Sequence, residues 1–486
     1  MQAPCDYQLA LADWEGRPAM EPTAWVPGLP LEMTVAAPAS NSLVVNGRRQ
    51  LVEKSSDHEY AVEVFKQAAQ SFQDEHDQMK TKIHLFPPSM EDLVDKYAAP
   101  NVVAIGPYHH GGTPALQHME STKHVAAWHF INDSGCSVDE VYGAVCEVAD
   151  EARSHYDENK VWSFSDDDFK PMMFYDGCFL LQFMLHCVGG VAMDPVLSSA
   201  FSSDNINISR DIVLLENQLP WVVVEKLMRF MPSPGLDLVQ FTRNAKASLQ
   251  ARQHLEDIPL VWDSSYTPSH LLGLLRYYIV GSTHISDTDE SSEPLSEKAK
   301  KLSISVSAIE LAEIGIEITA TKSTAELKEM RIKKASLSGE LLLAPLSLDY
   351  GNASFLVNMA AFELCTTPDF FEEDEENSTV CSYLCLLGMV TDSEEDVQKL
   401  RKKHILQGGA GLNNQDALDL FNRLEKHLRP GVQYLRTILA IENYRTNRPI
   451  RIMLYRFIYK NFKTIATVVT AIVGFAGFLA TLKSLK

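Results

Sequence analysis

Apolar and polar positions alternate along this chain mainly with a helical period. Apolar residues recur at helical spacing over 116–131, and 174–188 is strongly apolar with Asp176 near its start. The stretch 211–231 repeats that character around Leu214, Leu215, Leu219, Trp221, Val223, Val224 and Leu227. Pro220 suits the first turn of its second part, where a missing N–H does no harm. Further helices are predicted over 271–280, 353–365, 382–390, 393–404 and 414–428. In the last of these Leu420, Leu424 and Leu428 form one stripe, with Phe421 beside it. Ser307 and Glu310 have the spacing of a capping box, in which each side chain takes the other's backbone N–H, and Gly315 then closes a short helix. Strand signals are few. A β-type run at 101–107 is stopped by Gly106-Pro107, and 332–336 with 341–346 reads as a short hairpin. The pattern has no internal repeat and predicts a mainly α fold with a minor β part.

The same pattern divides the chain. Residues 1–80 read as a variable, partly disordered leader. Pro18, Pro22, Pro27, Pro30 and Pro38 interrupt it, and Val62, Val64, Phe65, Ala68, Ala69 and Phe72 then suggest one helix. A globular domain occupies 81–442, with 283–301 as a polar, acidic surface loop. A basic segment, 443–464, leads to an uncharged apolar run, 465–482, and a tail, 483–486. Eighteen helical residues span about 27 Å, close to a hydrocarbon thickness of about 30 Å. Lys460 and Lys463 precede the run, Lys483 and Lys486 follow it, and Tyr455, Tyr459 and Phe462 stand at the near interface. One transmembrane helix is therefore expected, with the lipid bilayer as its partner.

Charge sharpens this division. The chain carries −21, yet 443–486 holds eight Lys or Arg and no Asp or Glu, which leaves −29 on residues 1–442. So acidic a body argues against nucleic acid as a partner, while the basic tail suits an anionic lipid surface. The first thirty residues contain Asp6, Asp13, Glu15 and Glu21 and no continuous apolar core, unlike a secretory signal. With six basic residues from Arg445 to Lys463 on the near side of the run and two beyond it, the body is expected to face the cytosol, at the plasma membrane or an endomembrane. The eight cysteines are scattered, several in apolar runs, and are expected as reduced thiols; no Cys-x-x-Cys supports zinc.

Several segments, in this order, resemble a plant family known as domain of unknown function 247. They are Val102-Val103-Ala104-Ile105-Gly106-Pro107-Tyr108-His109-His110-Gly111, Tyr175-Asp176-Gly177-Cys178-Phe179-Leu180-Leu181, and Asp211-Ile212-Val213-Leu214-Leu215-Glu216-Asn217-Gln218-Leu219-Pro220. Others lie at 307–315, 358–365 and 419–424, and the C-terminal apolar segment is matched as well. The resemblance covers about 83–482, with an anchor short and glycine-rich for the family. It implies a plant membrane protein and no particular reaction. Some grass members are implicated in self-incompatibility, which makes recognition or signalling a plausible class.

Candidate chemistry is weak beside its structural alternatives. His109, His110, His118, His124 and His129 crowd together but match no metal motif, and no metal or other cofactor is expected. Asp176 and Glu216 sit among apolar residues, where a carboxyl can act as a general acid, yet each is expected to cap a helix or pair with a cation such as Arg210 or Lys170. Gly408-Gly409-Ala410-Gly411 lacks the Lys-Ser/Thr of a phosphate loop, and Glu372-Glu373-Asp374-Glu375-Glu376 lacks the alternation of a calcium loop. His109, His110, Asp176, Glu216, Asn217, Gln218, Ser307 and Glu310 are thus read as structural motif residues. The expected function is non-enzymatic recognition or signalling at a membrane, through a protein partner. The alternative is a hydrolase-like enzyme with its site around Asp176, Glu216 and His109 or His110.

Overall fold

The computed structural model describes residues 42–45, 48–51, 57–190, 193–233, 235–250, 260–281, 306–321, 326–334, 338–371, 375–408 and 411–484. The chain divides into two units, Met1–Asp74 and Glu75–Lys486. In the first, β1 (Ser42–Val45) and β2 (Arg48–Leu51) pair antiparallel, a hairpin absent from the sequence expectation. The Asp57–Gln78 helix follows and crosses the division. The predicted loop 283–301, the acidic run 372–376, Gly409 and Ala410 lie outside the described residues or side chains.

The second unit is mainly helical around one continuous core. Its axis is the Asp166–Val188 helix, capped by Ser165, whose hydroxyl accepts the Asp168 N–H. Three aspartates in the first turn offset the positive end of the helix dipole. Asp176 falls at mid-helix rather than near the start, because the helix begins eight residues before the apolar stretch. The Pro114–Ser134, Val138–Glu147 and Trp221–Met228 helices pack along it. A Cβ on Gly177 would come within 2.4 Å of Leu227 Cδ1, so glycine sets how closely the Trp221–Met228 helix approaches.

Beyond it, the Tyr350–Thr366 and Thr379–Val390 helices pack together. Every residue of the second is buried, as its all-round apolarity requires. The Leu271–Val280, Glu394–Lys402 and Asn414–His427 helices stand where the periodicity puts them, within two residues. A small sheet lies nearby, in the order β3 (Ile316–Ala320), β5 (Gly339–Leu343), β4 (Arg331–Lys334). β4 and β5 form the predicted hairpin; β3, parallel to β5, was not anticipated.

Two segments differ from expectation. Residues 212–220 are not helical: a short helix, Asn205–Asp211, ends there, and irregular turns lead to Pro220, the N-cap of the Trp221–Met228 helix. Residues 103–105 join no strand. Both departures have one cause, described below.

The chain closes with the Val432–Thr446 helix and a continuous 36-residue helix, Pro449–Ser484. Residues 449–464 of the basic segment therefore share one helix with the apolar run. Among the described residues no helix is long and apolar enough to cross a membrane. Side chains in this helix are described only as far as Gly477, so the run 465–482 lies partly outside them.

Candidate functional site

A backbone segment that crosses a core without a strand beside it must find partners for its N–H groups elsewhere. Segment 101–106 finds them in side chains. The Asp211 carboxylate accepts from Asn101 N–H (3.0 and 2.9 Å), Val102 N–H (2.7 Å) and Val103 N–H (3.1 Å). Asn217 Oδ1 accepts from Ile105 N–H at 2.7 Å, and Asp176 Oδ2 from Gly106 N–H at 2.8 Å. Asn217 Nδ2 donates to Val103 O at 3.0 Å and to Asp211 O at 2.9 Å. Gly106 takes φ +74°, and a Cβ there would sit 2.7 Å from Gln218 O and 2.8 Å from the Tyr156 hydroxyl. Only glycine meets both conditions.

The irregular segment 212–220 is held the same way. Gln218 Nε2 donates to Ile212 O and Leu214 O, both at 2.8 Å, and its Oε1 accepts from Leu272 N–H at 3.0 Å. Asn358, on the Tyr350–Thr366 helix, accepts from Leu215 N–H at 2.8 Å and donates to Tyr97 O at 2.9 Å. These long-range bonds fill the backbone positions that a helix would have satisfied locally. Arg210 is buried against Asp211 (2.8 Å) and also reaches Ala99 O and Ser354 Oγ.

The candidate carboxylates have partners other than those expected. Asp176 pairs with Lys123 at 2.6 Å, not with Arg210 or Lys170. Lys170 pairs instead with Asp166. Lys123 is 1% exposed and also meets Glu120 at 2.7 Å. Burial works against its charge, but Asp176 and Glu120 outweigh that and hold its pKa above the ordinary lysine value. Glu216 Oε1 accepts from Phe86 N–H at 2.7 Å, and its Oε2 lies 3.2 Å from His109 Nε2. Burial pushes the Glu216 carboxyl up, but His109 and the Phe86 N–H more than offset it and the pKa falls. His109 and Glu216 are about one-fifth exposed, whereas Asp176 is enclosed.

The remaining sequence candidates separate. His110 meets the Phe164 ring edge-on, His124 meets Tyr175, and His129 lies against Trp128 and 3.7 Å from Asp194. Among the described residues no three His, Cys, Asp or Glu are placed to hold a metal. Ser307 Oγ accepts from Glu310 N–H (3.3 Å) and Glu310 Oε2 from Ser307 N–H (3.1 Å), on the helix Ala308–Glu313. The described cysteines are free thiols.

Sequence reasoning missed two members of this network and a separate buried carboxylate, Glu363. Lys123 occupies the buried stripe of its helix with Leu116, Met119, Ala126 and Phe130, a position where a lysine signals a buried partner. Asp211 gave no local signal, since its partners lie about 110 residues away. Glu363 is fully buried, takes Val380 and Cys381 N–H at 2.9 and 2.8 Å, and pairs with Arg276 at 2.6 Å.

A cleft of about 580 Å³ opens elsewhere, lined by Trp221, Tyr266, Arg276, Tyr277 and Phe362 among others. Tyr266 and Tyr277 stack in it at 3.8 Å. His109, His110, Asp176 and Glu216 do not line it. Chemically, the hub is a set of charges and amides consumed in holding backbone.

These features define a helical protein whose signature polar residues knit distant segments into one core. The chain belongs to the plant protein family of unknown function called domain of unknown function 247, whose model matches residues 83–476. It is 28% identical over 361 residues to UPF0481 protein At3g47200 of Arabidopsis thaliana, covering 68% of this chain and 69% of that one. No solved structure matches.

Proposed function

We propose that this protein is a membrane-tethered, non-enzymatic recognition or signalling component, anchored through 465–482. The observation that carries the tether is the outer part of the Pro449–Ser484 helix. Side chains from 467 to 477 are exposed all round it, including Val468, Val469, Ile472, Val473 and Phe475 at 51–64%. Leaving such side chains in water forgoes about 1.5–3 kcal/mol each, and a bilayer recovers that.

The non-enzymatic reading is supported by the hub. Asp176, Asp211, Glu216 and Glu363 each accept backbone N–H groups, and Asp176 has no open face for a substrate. The self-incompatibility role with which some grass members are implicated belongs to the same recognition class.

Alkaline washing of plant membranes tests the tether. The full chain is expected to stay with the lipid, and Val469→Asp with Val473→Asp to move it to the wash, since each aspartate costs about 2.5–3.5 kcal/mol at a helix centre. Release of the unaltered chain would refute the anchor.

A further inference from the structure

The base of the Pro449–Ser484 helix is fastened to the body. Ile452 is buried, and Tyr455 stacks over Gly315, where an added Cβ would meet its ring at 3.3 Å. One turn on, Arg456 and Lys460 reach Glu313 at 3.9 and 3.5 Å, and Lys399 lies 6.0 Å over the Tyr459 ring. Residues 452, 455, 456, 459, 460 and 463 share one helix face, so Lys463 continues this line of contacts toward the apolar run. The helix is unbroken from these contacts to Ser484. The end of the body that holds Glu313, Glu317, Lys399 and Lys403 is thereby set beside the helix where it would enter a bilayer.

Depth follows from helical rise. Measured from Ile465, Lys463 lies about 3 Å away along the axis, Lys460 about 7.5 Å and Tyr459 about 9 Å. The headgroup layer is about 5–7 Å thick. Lys463 therefore falls at headgroup depth and Lys460 at its outer edge, with Lys399, over the Tyr459 ring, just beyond that edge and Lys403 one helical turn from Lys399. Lys403 pairs with Glu317 at 2.9 Å, and Lys399 donates to Ala308 O at 2.7 Å. Five cations, Lys399, Lys403, Arg456, Lys460 and Lys463, thus meet three carboxylates, Glu313, Glu317 and Asp396, in this corner. The corner keeps a positive excess on a molecule of net charge −21.

We propose that this corner between helix and body is a docking surface for anionic phospholipid headgroups, with Lys399 and Lys403 adding a contribution from the globular body to that of the helix. The inference rests on the anchor proposed above. A free acidic body would be repelled by an anionic leaflet, whereas this corner brings cations to it first. Each cation near such a surface favours it by about fivefold.

The test uses the full chain in bilayers made of equal parts phosphatidylcholine and phosphatidylserine, extracted gently with its bound lipid. Phosphatidylserine should be enriched severalfold over phosphatidylcholine in the retained lipid. Lys403→Gln with Lys463→Gln should remove most of that enrichment with the melting temperature of the body unchanged. The charge-matched control Lys160→Gln with Lys170→Gln should keep it. Equal retention of both lipids by the unaltered chain overturns the headgroup surface while leaving the anchor standing. Loss of the enrichment on adding inorganic phosphate at millimolar levels would assign the corner to a free anion and also overturn it. Failure of the chain to enter either bilayer removes the anchor, and the corner's role with it.

Discussion

Asn217 stands beside Ile105 as a neighbouring strand would. Its Oδ1 accepts the Ile105 N–H at 2.7 Å and its Nδ2 donates to Val103 O at 3.0 Å, one donor and one acceptor on a segment that has no sheet partner. The two residues are 112 positions apart, so one amide ties two remote segments into register. Asn217→Ala leaves both backbone groups buried and unpaired. Each such group costs about 1–3 kcal/mol, so a loss of at least about 2 kcal/mol is expected in denaturant unfolding. Unchanged unfolding, together with loss of a binding activity, would show that Asn217 serves a ligand instead.

The Lys123–Asp176 pair makes a second, separable prediction. Both side chains are buried, at 1% exposure each, so removing the cation strands a carboxylate in the core. Lys123→Met should cost about 3–5 kcal/mol. Adding Asp176→Asn should restore much of that, because an asparagine oxygen can still accept the Gly106 N–H without carrying charge. If the double variant is no more stable than the single one, the destabilisation comes from lost lysine packing and not from the stranded charge.

His270 gives the fold a dependence on pH. It is fully buried, its Nδ1 accepts the Gly273 N–H at 3.2 Å, and its ring meets Phe362 edge-on. Burial first, then the nearby charges of His84 and His155, push its pKa down to about 3. Above the ordinary histidine value of about 6.5 the ring is neutral folded and unfolded, so nothing is lost. As pH falls from there toward 3, the unfolded chain gains a proton that the folded one refuses. Stability therefore falls by up to about 1.4 kcal/mol per pH unit. His270→Asn keeps an oxygen acceptor at the helix N-cap and does not titrate. Denaturant unfolding at pH 7, 6 and 5 should show a shallower decline in the variant, with a remainder from His84, whose pKa burial also lowers. Identical slopes would show that His270 is not the titrating group.

What the sequence made legible was whatever local pattern decides. The Leu271–Val280 helix agrees at both ends because its apolar run is bounded by His270 and Gly281. The Ser307–Glu310 capping box is a four-residue motif, and it forms with both of its bonds. The hub was hidden for the opposite reason. Leu214, Leu215 and Leu219 carry a helical spacing, but Glu216, Asn217 and Gln218 between them bond to Phe86, Ile105 and Leu272, and those bonds displace the helix. Likewise Val102, Val103 and Ile105 have strand-forming side chains, yet Asp211 and Asn217 took the place of a second strand. Lys123 could have been found, since a lysine in an apolar stripe demands a counter-charge, but its pairing with Asp176 across two helices could not be read from spacing.

The last prediction concerns which side of the membrane holds the body. If 465–482 is the anchor proposed above, six basic residues between Arg445 and Lys463, against two beyond the apolar run, predict that the near side faces the cytosol. Glycosylation acceptor sequences stand at Asn132, Asn207, Asn352 and Asn377, and glycan transfer happens in the lumen. The structure makes these sites unequal. Asn352 is 8% exposed, and its Nδ2 donates to Asp349 at 2.8 Å and to Ser248 O at 3.3 Å. A glycan on that nitrogen would break both bonds and force the helix start apart, so Asn352 would stay bare on either side of the membrane. Asn132 is exposed, Asn207 and Asn377 are partly exposed, and these three carry the information. Protein from plant membranes should therefore show no mobility shift on glycosidase treatment. A shift that disappears when Asn132→Gln, Asn207→Gln and Asn377→Gln are combined, with the Asn352 site left intact, would put the body on the luminal side. That outcome would place the body where it can meet an external partner directly, and it would mean that the basic residues of 443–464 do not set the orientation.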